Sequence, residues 1–391
     1  MVKKHLIPVL VILLWSSAGC WDLQEINDKA VTTSIGIDLE ENNKVRFSSL
    51  YISPSIPGGE TGAAQTKPTL TTASDYSVAM AARKMMLSLS KVPEFAHIRS
   101  LILGDNLVSN NLTLSVDFLL RNRNISEVAN LLISVGSRPE EILALINSTD
   151  RALQQLIAVN EFEAGIYIPV TLVDFTYKLL TPGIEPTIPQ IMIQETKSIN
   201  KSSSSQDQTE NPSGESKRLV LHGTAVFKKD KKIGVLNEYE SRGLRWLNSN
   251  KKTGGIILIQ SPLNPKEYTA LEILHFMSET RPQVNGKQIK MQISIKTRLA
   301  LYENTSIVNN ISKDTLKKME QAANQEISRQ IISCIHKSQS LNSDVLGWGL
   351  LLLQYQPDTW KQVKGDWNHL FPLVEYDLQA ETSIIHTYLS K

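Results

Sequence analysis

With 391 residues, the chain is long enough for two or three folded domains. Its 41 Lys and Arg residues and 39 Asp and Glu residues give a net charge of only +2 at pH 7. Such a balanced chain has no bulk field that would attract nucleic acid or an anionic membrane surface, so we expect no nucleic-acid partner.

The N-terminus predicts a lipoprotein signal peptide. Lys3 and Lys4 precede a mostly apolar run at 6–16, which small residues and Cys20 follow. A spanning helix needs about 20 apolar residues, so this run is too short for a stable transmembrane anchor. We therefore predict that residues 1–19 are removed and that Cys20 carries a lipid whose acyl chains hold the protein on the membrane. The alternative is an ordinary secretory signal beside an incidental cysteine.

Residues 20–148 have the pattern of an N-terminal α/β domain. Two strand-like runs within Val31 to Ile52 flank a polar turn at 40–43, which predicts a hairpin. The stretch 54–72 is rich in Pro, Gly and Thr and predicts a loop, after which Ser74 is expected to cap a helix. The remaining elements expected here are this helix at 74–91, strands at 97–103 and 128–135, a helix at 105–121 and a short helix from Pro139.

A small second block is expected at 149–196, because a helix and a strand-like run at 166–170 are followed by three chain-breaking prolines. These are Pro182, Pro186 and Pro189. Residues 197–217 contain no aromatic side chain and are rich in Ser and charge. They cannot bury enough apolar surface to offset their ordering entropy, so we expect a flexible linker.

Residues 218–391 have the pattern of a C-terminal α+β domain. A strand at 219–227 precedes a helix at 237–248, which Asn237 can cap. Asn285-Gly286 separates two alternating runs and predicts a hairpin. The elements expected after it are a long helix at 312–339, a second helix at 343–355 and a last strand at 374–388. The predicted fold class is α+β, with an α/β layered N-terminal region, an accessory block and a mixed or antiparallel C-terminal sheet.

Cys334 is the only thiol that remains if Cys20 is acylated, which leaves no intramolecular disulfide. It lies on an apolar stripe of the long helix, and the basic residue His336 points to another face. We interpret Cys334 as a small buried hydrophobic residue rather than a reactive thiol. The stripe consists of Leu316, Met319, Ala323, Ile327, Ile331, Cys334 and Ile335.

Three segments carry a resemblance to one bacterial family. The first contains Cys20, Trp21, Asp22, Glu25 and Gly36 to Asp38. The second is Gly223 to Ser249, and the third contains Gly347, Trp348, Gly349, Pro357, Trp360, Trp367 and Phe371. In these segments the chain resembles the Ger(x)C family, the lipoprotein C subunits of the nutrient receptors of bacterial endospores.

The resemblance implies a non-enzymatic receptor subunit that Cys20 anchors to the outer face of the inner membrane of a dormant spore. The implied partners are two membrane-embedded proteins, an A subunit and a transporter-like B subunit. Such a receptor responds to amino acids, sugars or nucleosides, and this subunit would contribute to assembly, stability and signal transmission. The resemblance implies no cofactor and no metal.

Two other classes stay open. A penicillin-recognising cell-wall enzyme is suggested by Ser88-x-x-Lys91, Ser109-x-Asn111 and Lys252-Thr253-Gly254, in that order. Against it, Ser88 is expected at the end of its helix rather than at the start, and Lys252 lies across the linker. An extracytoplasmic solute-binding lipoprotein needs two similar lobes, whereas the halves of this chain look dissimilar. The sequence has no HExxH motif and no Gly-rich phosphate loop of standard form.

The helix at 237–248 is the place where we expect contacts with partner subunits. Glu240 and Arg242 are its expected exposed candidates, whereas Trp246 is expected in the core. The C-terminal tryptophans are interpreted as core residues rather than a carbohydrate-binding platform. They are Trp246, Trp348, Trp360 and Trp367.

Overall fold

The computed structural model describes residues 28–52, 68–110, 112–122, 124–146, 151–197, 215–248, 254–286, 288–304 and 312–387. Cys20 and the rest of the predicted signal peptide lie outside these residues, as does most of the expected loop at 54–72. Most of the expected linker at 197–217 lies outside them too. The described residues form two β-sheets with helices packed on them.

The first sheet has nine strands and is built around a parallel centre. Its strands are β1 (Lys29–Leu39), β2 (Val45–Ile52), β3 (Thr69–Asp75), β4 (Val92–Glu94), β5 (Ser100–Gly104), β6 (Asn130–Ser134), β7 (Thr187–Lys197), β8 (Glu215–Lys228) and β9 (Lys231–Leu236). The order is β3-β2-β1-β5-β6-β7-β8-β9, and β4 pairs with β1. Strands β1, β5, β6 and β7 run parallel to one another. On one side β2 and β3, and on the other side β8 and β9, each pair antiparallel with the preceding strand in the sheet.

Helices cover both faces of this sheet. They are α1 (Val78–Met86), α2 (Asp105–Asn110), α3 (Leu112–Arg121), α4 (Pro139–Leu145), α5 (Arg151–Val159), which continues into a π-helical turn at Asn160–Ala164, and α6 (Leu172–Leu180). In β5, Leu101 and Leu103 enter one core, whereas Ile102 enters the core on the opposite face. A strand that is buried on both faces requires a continuous apolar run, as this segment has.

The second sheet has the order β10-β11-β12-β13. Its strands are β10 (Ile256–Gln260), β11 (Tyr268–Asn285), β12 (Gln288–Asn304) and β13 (Glu375–His386). Strands β11 and β12 form the hairpin predicted at Asn285-Gly286, and β13 runs parallel to β12, so the sheet is mixed. The helices that follow or cover it are α7 (Glu238–Leu247), α8 (Lys313–Ser340), α9 (Trp348–Tyr355), α10 (Pro357–Val363) and α11 (Trp367–Leu370).

The mixed α/β fold and most predicted elements are confirmed, and several boundaries are corrected. Ser74 lies in β3, and Ser77 caps α1 instead, with its hydroxyl accepting from the Met80 N–H. The helix expected at 105–121 is divided into α2 and α3. The helix expected from Ser343 begins only at Trp348, because Gly347 has a left-handed conformation with φ of 71°.

The segment 166–197 departs most from the sequence pattern. Ile166 to Val170 forms no strand, and helix α6, which was not predicted, follows it. Pro189 was expected to interrupt the chain, yet it lies inside β7. A register shift beside Pro189 in the β7–β8 pairing accommodates a residue that has no N–H to donate.

The first sheet continues across the expected linker. Strand β8 pairs antiparallel with β7, with Ile193 opposite Leu219, so residues 197–217 join two neighbouring strands. Strands β8 and β9 therefore complete the first sheet, although they belong to the range 218–391 that was predicted as the C-terminal domain. The domain boundaries themselves stay a prediction.

Helix α7 packs very closely on α8. A Cβ atom at Gly243 would lie 2.2 Å from the Gln330 carbonyl oxygen and 2.7 Å from Cys334 Cβ. Beside this contact the Trp246 indole donates to Gln330 Oε1 over 2.8 Å. Glycine at this position is thus required by the close approach of the two helices.

We expect Gly243→Ala to lower the free energy of unfolding by about 1–3 kcal/mol, since the added methyl group must push the two helices apart. Urea unfolding of the full chain measures this. Gly365→Ala is the matched control, because no atom of the residues that the structure describes lies within 4 Å of its Cβ position. Its effect should stay within about 0.5 kcal/mol. Equal effects of the two substitutions would contradict the packing assigned to Gly243.

Candidate functional site

The site that unites the two sheets is built on a buried carboxylate. Asp344 lies in the turn between α8 and α9 and is 4% exposed. Its Oδ1 accepts from the Trp348 N–H over 2.9 Å, and its Oδ2 accepts from the Gly349 N–H over 2.8 Å. The Trp367 indole also donates to Oδ2, over 3.0 Å. The carboxylate therefore fixes the start of α9 and the position of α11 together.

The segment between α6 and β7 docks on this turn. The Glu185 N–H donates to the Asp344 carbonyl oxygen over 2.9 Å, and the Leu350 N–H donates to the Gly183 carbonyl oxygen over 2.8 Å. A Cβ atom at Gly183 would lie 2.4 Å from the Gly349 carbonyl carbon. Gly183 also has a φ of 82°, so only glycine meets both conditions without strain. We call the contacts of 182–185 with 344–350 the Asp344 junction.

Residues at the β8–β9 turn also form hydrogen bonds with the turn before α9 and with Glu185. The Lys228 amine donates to the Asn342 carbonyl oxygen over 2.7 Å, and the Ser343 hydroxyl donates to the Phe227 carbonyl oxygen over 2.5 Å. The Lys229 N–H donates to Glu185 Oε2 over 2.6 Å. The turn before α9 thus contacts two separate parts of the first sheet region.

The tryptophans of the third family-like segment belong to this core. Trp348, Trp360 and Trp367 are 1%, 5% and 7% exposed. The rings of Trp360 and Trp367 meet edge to face at 5.6 Å, and Trp348 meets Phe371 at 5.8 Å. Trp246 is 1% exposed. The expectation of core roles is confirmed, and these side chains are too buried to form a carbohydrate platform.

Burial raises the pKa of Asp344 to about 7, against the opposing effect of the N–H donors that stabilise its charged form. Burial also raises the pKa of Glu185, while the N–H of Lys229 opposes that change. Both carboxyl groups lie at the Asp344 junction, where Asp344 is buried and Glu185 is half-buried. Ionisation of Asp344 is thereby coupled to the folding of this region.

Glu240 and Arg242 lie on α7, but both are half-buried rather than exposed. Glu240 completes a capping box, because its carboxylate accepts from the Asn237 N–H over 2.9 Å. Arg242 donates from Nη1 to the Ile256 carbonyl oxygen and from Nη2 to the Ala164 carbonyl oxygen, over 2.7 and 2.9 Å. The expectation of free exposure is therefore wrong, since Arg242 ties α7 to β10 and to the π-helical turn. Their role in a partner interface stays a prediction.

Cys334 is completely buried and forms no disulfide. Burial raises the pKa of its thiol to about 12, which suppresses the nucleophilic thiolate. The interpretation as a small core residue is confirmed.

The structure describes only some of the residues that suggested a serine enzyme, and it gives Ser88 a structural role. Ser88 follows the end of α1, and its hydroxyl donates to the Met85 carbonyl oxygen over 2.7 Å. Ser109 lies in α2, while Asn111 and Lys252 fall outside the described residues. Within the described ranges, no group of three or more His, Cys, Asp or Glu side chains could hold a metal ion. No helix among the residues described is long and apolar enough to cross a membrane.

The sequence patterns did not single out Asp344 or Gly183. The signal present was Gly-Trp-Gly at 347–349, where small residues beside an aromatic residue indicate close packing. An Asp three residues before a glycine is too common a pattern to identify a buried cap. Only the tertiary contacts show that Asp344 holds the start of α9 and the Trp367 side chain in place.

Two models of protein families together match most of the chain. The family model described as "Spore germination protein N-terminal domain" matches residues 22–193. The model described as "Spore germination B3/ GerAC like, C-terminal" matches residues 222–388. These two matches place the chain in the class of spore germination proteins.

Individual relatives show the same extent of similarity. YfkR of Bacillus subtilis (strain 168) is 25% identical, over 96% of this chain and 94% of its own length. Spore germination protein KC of the same organism is 24% identical, over 100% of this chain and 97% of its own length. The crystal structure of the GerBC protein matches in fold with a TM-score of 0.55 at 18% identity, covering 90% of this chain and 96% of that one. The chain belongs to the GerAC-like, or Ger(x)C, family of spore germination proteins.

The raised pKa of Asp344 predicts a pH dependence of stability. In the unfolded chain this carboxyl ionises near pH 3.8, whereas in the folded protein it ionises near pH 7. Between these values the folded state holds more protons, so the free energy of unfolding falls as pH rises, by up to about 1.4 kcal/mol per pH unit. Asp344→Asn cannot ionise and should lose this contribution.

Urea unfolding of the wild type and Asp344→Asn at pH 5 and pH 7.5 measures this effect. The wild type should gain stability relative to the variant at the lower pH. Asp358→Asn serves as the control, since the Asp358 side chain is 88% exposed. Identical pH dependences of the wild type and Asp344→Asn would show that Asp344 does not ionise in this window.

Proposed function

We propose that this chain is the lipid-anchored C subunit of a spore nutrient germinant receptor. The observation that carries the proposal is the match of both family models, which together extend from residue 22 to residue 388. The chain would act in nutrient-triggered germination as a component of the receptor and not as a catalyst. In support, two residues that could suggest an active site have structural roles. The Ser88 hydroxyl donates a hydrogen bond to the Met85 carbonyl oxygen at the end of α1, and Cys334 is buried in the core.

The proposed location is the outer face of the spore inner membrane. Cys20 would hold the protein there through its acyl chains, which contribute about 0.8 kcal/mol per buried methylene group. The nearly neutral chain, with a net charge of +2, offers little electrostatic attraction to anionic lipids as a substitute.

The proposed partners are the A and B membrane subunits of the receptor. A subunit that transmits or supports a signal between partners must keep its surfaces in a fixed relation to one another. The Asp344 junction and the Arg242 contacts supply such a fixed relation, because each ties helices of the second sheet to segments of the first. Contacts with the A and B subunits are proposed at the surface around α7.

Cys20→Ala should leave a folded protein that is lost from the membrane fraction, because the variant has no acyl chains. The measurement is fractionation of cells that lack the partner subunits, followed by immunodetection. Cys334→Ala removes the other cysteine of the chain and should remain in the membrane fraction. A Cys20→Ala protein that stayed firmly in the membrane would argue against the lipid anchor.

Glu240→Gln tests the proposed interface without removing the helix cap, since glutamine can also fill the last position of a capping box. We expect about tenfold less co-purification with the membrane subunits, which corresponds to ~1.4 kcal/mol. Glu381→Gln is the control away from α7 and should leave co-purification unchanged, since its side chain is 74% exposed on β13. Arg242→Lys keeps the positive charge but cannot form both hydrogen bonds of the guanidinium, to the Ile256 and Ala164 carbonyl oxygens. This variant therefore tests those two hydrogen bonds separately from the charge.

Thermal unfolding of each variant must accompany the co-purification. Unchanged recovery of the membrane subunits with Glu240→Gln, at unchanged thermal stability, would remove Glu240 from the interface.

A further inference from the structure

An open cleft of about 460 Å³ lies between the two sheet regions. From the first region it is lined by Ile168, Lys178 and Ile184, and from the second by Leu247, Ser278 and Leu351, among others. Its volume falls within the range of small-molecule sites, which often lie between domains. The walls combine aliphatic side chains with about as much polar surface.

Lys178 is the charged group of this cleft that lacks a partner. It lies in the last turn of α6, and it makes no ion pair or hydrogen bond with any residue that the structure describes. Burial lowers the pKa of its amine, and Asp174 opposes this only partly. Asp174 is occupied at the start of the helix, where its Oδ2 accepts from the Thr171 hydroxyl over 2.7 Å.

Ser278 is a second polar residue of the cleft that can complement a negative charge. Ser278 lines the cleft, and its Oγ is buried with no hydrogen-bond partner among the described residues, so a rotation of the side chain would let the hydroxyl donate to a ligand. Glu279 also lines the cleft, but Arg281 pairs with it over 2.5 Å. A desolvated amine and an unsatisfied hydroxyl each raise the free energy of the empty protein, and an acceptor anion would relieve both.

We propose that this cleft binds a small-molecule carboxylate with an apolar tail, with Lys178 and Ser278 contacting the carboxylate and Leu247 and Leu351 contacting the tail. One lysine matches a single negative charge. A phosphate group would call for more cationic groups or a cradle of backbone N–H groups, neither of which lines this cleft among the described residues. The proposal does not depend on the assignment of the chain as a receptor subunit.

The test compares 4-phenylbutyrate with its neutral isostere, 4-phenylbutyramide, by ligand-observed NMR titration of the full chain. The carboxylate should bind at least tenfold more tightly than the amide. Lys178→Met should abolish this preference, and Lys178→Arg should retain it. Lys318→Met is the matched control, because Lys318 is an exposed lysine on α8.

Lys178→Met should not unfold the protein, because it removes an unpaired and desolvated charge, so its thermal unfolding temperature should be unchanged or higher. Ser278→Ala should weaken carboxylate binding several-fold and leave amide binding less affected. Equal binding of acid and amide, no binding of the acid, or an undiminished preference in Lys178→Met would each overturn the proposal.

Discussion

The burial of Asp344 is the constraint on which the arrangement of this protein depends. A carboxylate removed from water is stable only when donors satisfy its oxygens, and here two backbone N–H groups and one indole do so. These donors come from the start of α9 and from α11. Loss of the carboxylate would leave these buried donors without an acceptor, at a cost of about 1–3 kcal/mol each.

The same residue links the two sheets through its backbone. Its carbonyl oxygen accepts from Glu185, while the neighbouring Gly349 packs against Gly183 at a separation that excludes any side chain. A second contact, from Arg242 to the π-helical turn, holds α7 to the first region. With two separate points of attachment, one region cannot rotate about a single hinge without breaking hydrogen bonds at the other.

Local patterns predicted the elements whose cause is local. The Asn285-Gly286 turn, the Asn237 cap and the apolar stripe of α8 all depend on residues within one or two turns of each other, and all are confirmed. Pairing of β8 with β7 across 197–217 depends on contacts that no local pattern encodes. Helix α6 was missed because the β-branched and aromatic residues that precede it favoured a strand. The Arg242 contacts were missed because arginine on a polar helix face usually faces solvent.

The proposed role in a nutrient receptor differs from a general role in the spore envelope in the germination triggers that require this chain. The most direct measurement is the germination of spores that lack this chain, followed separately with each class of nutrient and with triggers that bypass nutrient receptors. We expect loss of the response to one class of nutrient, with the response to bypass triggers intact. An equal loss of response to every trigger would contradict it.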